Sequence, residues 1–336
     1  MKVKGGICLN GELKTARKAF SRIGLAFSVI LLAATALQLV LIIIPRLFWG
    51  EDNWLDTSPW GFWLSAFVPL YLVAIPLGLL ILRKLPAQTP QDHPLGGKNA
   101  FVIFTISLCV MYTGNIIGTA LSMILSGGTA QNAVVEYASD TNPLKVLFVV
   151  ILAPTIEEYV CRKQIIDRTR QYGEKTAVFL SGLVFGLLHQ NFFQFFYAFG
   201  LGLIFGYVYI RTGRLRYTIL LHGIINFMGG VIAPWIVSLM DAQALNSLTP
   251  DASPEEVLAV YDKILPGMLL SSLYALFLIG MSITGLVLLI LKCRKLIWKV
   301  GDTQLPAGIA VKTVYWNVGM VLYVLLCAAS MVLALM

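Results

Sequence analysis

Charge is scarce in this 336-residue chain, with Asp, Glu, Lys and Arg making up 12% of residues against 58% apolar ones. That balance excludes a water-soluble globular protein, which needs more polar surface than this chain has. Histidine occurs only at His93, His189 and His222, so any imidazole chemistry rests on those three. None of the five cysteines falls in an expected external loop, so no disulfide framework is expected, and no CxxC pair or finger-like spacing marks a zinc finger. No internal repeat of the kind that marks many transporters is visible. No polar stretch is large enough to fold alone, so residues 1–336 read as a single membrane domain.

What the chain has instead is a series of long apolar windows of about 20 residues, the length that crosses a hydrocarbon core. These predict an all-α, polytopic membrane helix bundle of about nine transmembrane helices, eight being the alternative count. The expected spans are 23–44, 60–82, 101–125, 146–162, 176–190, 192–210, 217–239, 267–291 and 314–336. Counted loop by loop, 22 of the 25 lysines and arginines fall on one side, leaving only Arg46, Lys145 and Lys263 on the other. By the positive-inside rule the N-terminus is cytoplasmic, with 1–22 a basic cytoplasmic segment. The net charge of +8 then reflects topology and anionic headgroups, and nothing marks a nucleic-acid partner. The partner is the lipid bilayer. Residues 240–266 form the longer external loop, where Ser253-Pro254-Glu255-Glu256 predicts a capped short helix running to about Ile264.

Against this background the run Glu157-Glu158-Tyr159-Val160-Cys161-Arg162 stands out, because ionisable groups inside a span are costly and mark functional sites. Glu158 precedes Arg162 by four residues, the spacing of a helical ion pair, whereas Glu157 points about 100° away and is left free. Pro154 loosens the helix just upstream and frees carbonyls for a wet cavity. Downstream lie Phe185-Gly186-Leu187-Leu188-His189 and His222-Gly223-Ile224-Ile225-Asn226, with His222 and Asn226 on one helical face. A carboxylate and an imidazole together activate water, and a second imidazole with a carboxamide can donate to an oxyanion. The inventory suits amide hydrolysis without a protein nucleophile.

The three motifs EExxxR, FxxxH and HxxxN, in that order, resemble the CAAX prenyl protease and bacteriocin-processing (CPBP, or Abi) family of intramembrane proteases. Gly202, Gly206, Tyr209 and Arg211-Thr212-Gly213 resemble the glycine-rich helix and turn of that family. The resemblance covers about 145–235, which it marks as a catalytic core. It implies an endopeptidase of the glutamic type in a multi-pass integral membrane protein of the bacterial plasma membrane. Its substrate is a membrane-associated, in some members lipidated, peptide or protein. Glu157 would be the base working with His189 on the water, His222 and Asn226 would bind the oxyanion, and Glu158 with Arg162 would hold the geometry. No cofactor is expected; the alternative is a divalent metal such as zinc on Glu157, His189 and His222. The family often has glycine after the motif arginine, where this chain has Lys163.

Straight spans would leave His189 about 21 Å from Lys175 while Glu157 and His222 lie roughly 8 Å from their helix ends. Two solutions are expected: the fifth helix begins well outside the bilayer, or the turn at Gln190 and Asn191 is buried in the bundle. Phe192, Phe193, Phe195, Phe196 and Tyr197 read as an outer-interface aromatic cluster, and Gln38, Asn115 and Asn317 as helix-to-helix hydrogen-bonding groups. Two other readings of the polar residues remain. One is a non-catalytic peptide-binding or bacteriocin-immunity protein of the same fold, and the other is a proton-coupled transporter.

Overall fold

The computed structural model describes residues 6–58, 60–132, 144–240 and 251–336, and these form helices and no strands. In chain order the main helices are α1 (Gly6–Trp49), α2 (61–82), α3 (Gly97–Leu125), α4 (146–169), α5 (Glu174–Leu188) and α6 (Phe192–Thr212). They continue with α7 (Leu215–Ser238), α8 (Pro254–Cys293), α9 (Ala307–Tyr315) and α10 (Val318–Leu333). Six of them, α1, α2, α3, α6, α7 and α8, are long and apolar enough to cross a membrane. A seventh crossing forms if α9 and α10, bent by 64°, count as one span.

The expected spans 146–162 and 176–190 are helical but different in kind from the rest. With 15 residues, α5 is about 22 Å long, short of the ~30 Å hydrocarbon core. It is buried along most of its length, as an inner helix is. Helix α4 alternates α-helical and π-helical turns, so it is no straight rod either.

The main core is assembled from one stripe of α1 (Ala16, Phe20, Ile23, Phe27, Ile30, Ala34), whose spacing keeps one helical face inward, packed on α2, α4, α5 and α10. Small residues let the inner helices approach. At the α5–α6 crossing a Cβ on Gly202 would sit 2.7 Å from the Gly182 Cα, so position 202 needs glycine.

The structure bears on three expectations. The basic segment from residue 6 to 22 is the opening of α1 itself, continuous with the first span, and residues 1–5 lie outside the described residues. The capping box at Ser253 and Glu256 forms as expected, but it starts no separate cap helix. The helix continues through Pro266 to Cys293, because an N-cap dictates where a helix begins and says nothing of where it stops. Residues 241–250 of that loop lie outside the described residues. Asn317 hydrogen-bonds one helix to the next, as expected: it caps α10, accepting from Met320 N at 3.0 Å, and donates to the Thr313 and Val314 carbonyls of α9. Gln38 does bridge helices, donating to the Ala66 carbonyl of α2 at 3.4 Å.

Candidate active site

The site is built on the irregularity of α4. In its π-helical stretch each N–H reaches five residues back, as Ala153 N–H does to Phe148 O. In that register residue 154 would serve Val149 O, but proline has no N–H to give. The orphaned carbonyl accepts instead from Asn226 Nδ2 of α7 at 2.9 Å. One residue on, Val150 O lies where a Cβ on Gly223 would meet it at 2.9 Å. The HxxxN helix therefore docks on the defect that Pro154 makes.

Docked this way, α7 brings His222 over the paired carboxylate. Glu158 and Arg162, both with 0% side-chain exposure, form a two-pronged pair at 2.9 and 3.0 Å. Arg162 also donates to Ser181 Oγ of α5 at 3.3 Å and lies 4.2 Å above the Phe185 ring. His222 Nδ1 stands 3.2 Å from Glu158 Oε1. A carboxylate that receives two guanidinium bonds acts as acceptor, which assigns the ring proton to Nδ1 and leaves the Nε2 lone pair pointing away.

That lone pair faces Glu157, whose Oε2 is 4.0 Å from His222 Nε2. The gap is too long for a direct hydrogen bond and suits two groups that share a water. Glu157 keeps 16% side-chain exposure where Glu158 has none, so helical spacing separates the two glutamates as expected. One correction applies: Glu157 is not free, because Tyr71 Oη of α2 donates to its Oε1 at 2.7 Å.

His189 enters from the other side. It ends α5, and its Nδ1 donates to the Phe185 carbonyl at 2.8 Å, which places the lone pair on Nε2. Phe185 sits between the imidazoles, its ring centroid 5.0 Å from that of His189 and 5.6 Å from that of His222. Of the two expected solutions the turn solution fits: residues 189–191 are half-buried, and Asn191 closes the turn by bonding His189 O and capping α6 at Gln194 N. The following aromatics pack inward. Phe193 is buried, and Phe192, Phe195 and Tyr197 lie against the main core.

Glu157, Glu158, Arg162, His222 and His189 thus form one cluster, while Asn226 binds the α4 backbone one turn away. Two contributors escaped the sequence reading. Tyr71 is separated from its partner by 86 residues and has no local signature. Asp167 is the other: it is buried, and it collects Lys163 Nζ, Thr89 Oγ1 and Tyr209 Oη at 2.9 to 3.0 Å. That network gives Lys163 its place and ties down the connection after α2. There His93 N also donates to Thr212 O, and Gly213, at φ +62°, packs on Pro90 O. Arg214 bonds Asp92 in the same connection and holds its carboxyl below the usual carboxylate range. Among the described residues no group of three or more His, Cys, Asp or Glu side chains is arranged to hold a metal ion.

A bundle of apolar helices around a buried polar cluster defines a multi-pass integral membrane protein with an internal site. Residues 139–228 match the family model described as Type II CAAX prenyl endopeptidase Rce1-like. The membrane-embedded CAAX protease MroQ of Staphylococcus aureus (strain USA300) is 35% identical over 196 residues, covering 55% of this chain and 77% of MroQ. YdiL of Bacillus subtilis (strain 168), provisionally named a membrane peptidase, is 26% identical over 204 residues, covering 55% of this chain and 80% of YdiL. No solved structure matches. The chain belongs to the Rce1-like CAAX protease family, and membership supports an intramembrane protease.

Proposed function

We propose that this protein hydrolyses a peptide bond in a membrane-associated peptide or protein, lipidated ones included, through a water activated by Glu157 and His189. The observation that carries the reading is the 4.0 Å gap between Glu157 Oε2 and His222 Nε2, with the Phe185 ring packed against both His222 and His189. Glu157 takes a proton from the water as its oxygen bonds the scissile carbonyl carbon, and His189 Nε2 accepts the water's other hydrogen bond. The carbonyl electron pair moves to oxygen. Asn226 has one amide hydrogen engaged by Val149 and one to offer that oxyanion. His222, having taken a proton at Nε2 from solvent before the attack, with Glu158 as countercharge, donates from Nε2 to the same oxygen and keeps that proton through the step. Collapse breaks the C–N bond, and the proton held by Glu157 passes to the leaving nitrogen. No residue bonds covalently to the substrate. In this reading the N-terminus is cytoplasmic and the site opens to the cytoplasmic leaflet, where anchored substrates present their chains.

The test is incubation of the purified full chain with lipidated and unmodified membrane peptides, followed by mass spectrometry of the products. Wild type is expected to cleave, and Glu157→Ala to leave substrate intact at unchanged yield and thermal stability. Cleavage by Glu157→Ala would overturn the role of this glutamate. Tight binding without cleavage by the wild type would favour the non-catalytic reading.

A further inference from the structure

A large cavity lies away from the glutamates. It has a volume of about 1150 Å³, and none of Glu157, His189, His222 or Asn226 lines it. Cavities that hold drug-sized ligands run to about 300–1,000 Å³, so this one suits a larger guest. Its body is apolar, with Ile103 and Val110 from α3, Phe179 from α5, Leu203 and Ile204 from α6, and Val314 from α9.

Its basic residues gather at one end. Lys175 lies in the first turn of α5, Arg211 in the last turn of α6, Lys292 in the last turn of α8 and Lys295 just beyond it. These ends coincide: α5 and α6 form a hairpin through residues 189–191, and the segment after α8 returns to them. There Lys299 N donates to Glu174 Oε2 at 2.7 Å, and Trp298 packs 5.2 Å from the Tyr207 ring. Glu174 is bonded to Arg211 and offsets one of the four positive charges. Lys175, Lys292 and Lys295 are exposed, and among the described residues none makes a side-chain hydrogen bond or ion pair. Arg211 Nε is buried without an acceptor.

We propose that this cavity is a binding site for an anionic phospholipid, its acyl chains along the α3–α5–α6 wall and its phosphate among Lys175, Arg211, Lys292 and Lys295. An apolar body closed at one end by unpaired cations and an aromatic pair is complementary to acyl chains beneath a head group of net negative charge. The site stands apart from the hydrolytic cluster, so its occupancy is independent of the function proposed above.

Native mass spectrometry of the full chain in detergent tests it, titrating phosphatidylglycerol against phosphatidylcholine with the same acyl chains. Phosphatidylglycerol is expected to bind about tenfold or more tighter. The triple variant Lys175→Ala/Lys292→Ala/Lys295→Ala is expected to lose that preference and keep its lipid-free melting temperature, since all three side chains are exposed. Equal binding of the two lipids, or an unchanged preference in the triple variant, overturns the proposal. So does displacement of phosphatidylglycerol by millimolar inorganic phosphate, which would identify a plain anion site.

Discussion

The Tyr71 hydroxyl donates to Glu157 Oε1 at 2.7 Å, while the other carboxylate oxygen, Oε2, faces His222. The carboxylate is therefore held from behind by α2, with one oxygen engaged and one turned toward the imidazole. Tyr71 lies outside the 139–228 region that matches the family. Tyr71→Phe removes the donor and keeps the ring, which packs on Phe67 at 5.0 Å. A base that loses its orientation costs about ten- to a hundredfold in turnover. The expected outcome is that fall in kcat with little change in KM, measured on a lipidated peptide. An unchanged kcat would mean that Tyr71 serves only packing.

The Glu158–Arg162 pair is sealed from solvent, so breaking it leaves a bare charge in an apolar interior. Glu158→Gln is expected to cost about 3–5 kcal/mol of stability, read as a lowered denaturation midpoint in detergent. Arg162→Lys keeps the charge but loses the two-pronged bond and the flat stacking on Phe185, so it too is expected to destabilise. The double variant Glu158→Leu/Arg162→Leu is expected to regain much of the stability and no activity. That result would separate holding His222 from holding the fold.

This pair was legible in the sequence because four residues on one helix decide it. The same holds for the His222 and Asn226 face and for the Ser253 capping box. What was not legible came from contacts between distant elements: Tyr71 reaching Glu157 from α2, and Asp167 gathering Thr89 and Tyr209. The length of α8 was missed because the capping box marks only where a helix begins, and the short helix and the span 267–291 read as separate elements, whereas one helix runs through Pro266. The family's glycine position, filled here by Lys163, looked like an anomaly until Asp167 and Thr89 supplied its partners.

Metal dependence separates two chemistries that the same three residues offer. With water activated by Glu157 and His189 alone, cleavage is expected to survive dialysis against a strong chelator, and added zinc is expected to give no gain. If Glu157, His189 and His222 instead held zinc, the chelator would abolish cleavage and zinc would restore it. Metal analysis of the purified protein beside the activity assay decides between them.

Asn226 supports the α4 backbone and, in the proposed mechanism, also donates to the oxyanion, and the two can be separated. Asn226→Ala leaves Val149 O without its partner in a half-buried setting, an expected loss of about 1–3 kcal/mol. Pro154→Ala supplies the missing N–H from within α4, in reach of that same carbonyl. The double variant Pro154→Ala/Asn226→Ala is therefore expected to recover stability in a denaturation series. It does not recover a donor at the oxyanion, so kcat is expected to stay low, by about a hundredfold or more. Recovery of both would reduce Asn226 to a patch for a proline defect, and recovery of neither would mean that α7 docks on α4 through contacts other than Val149.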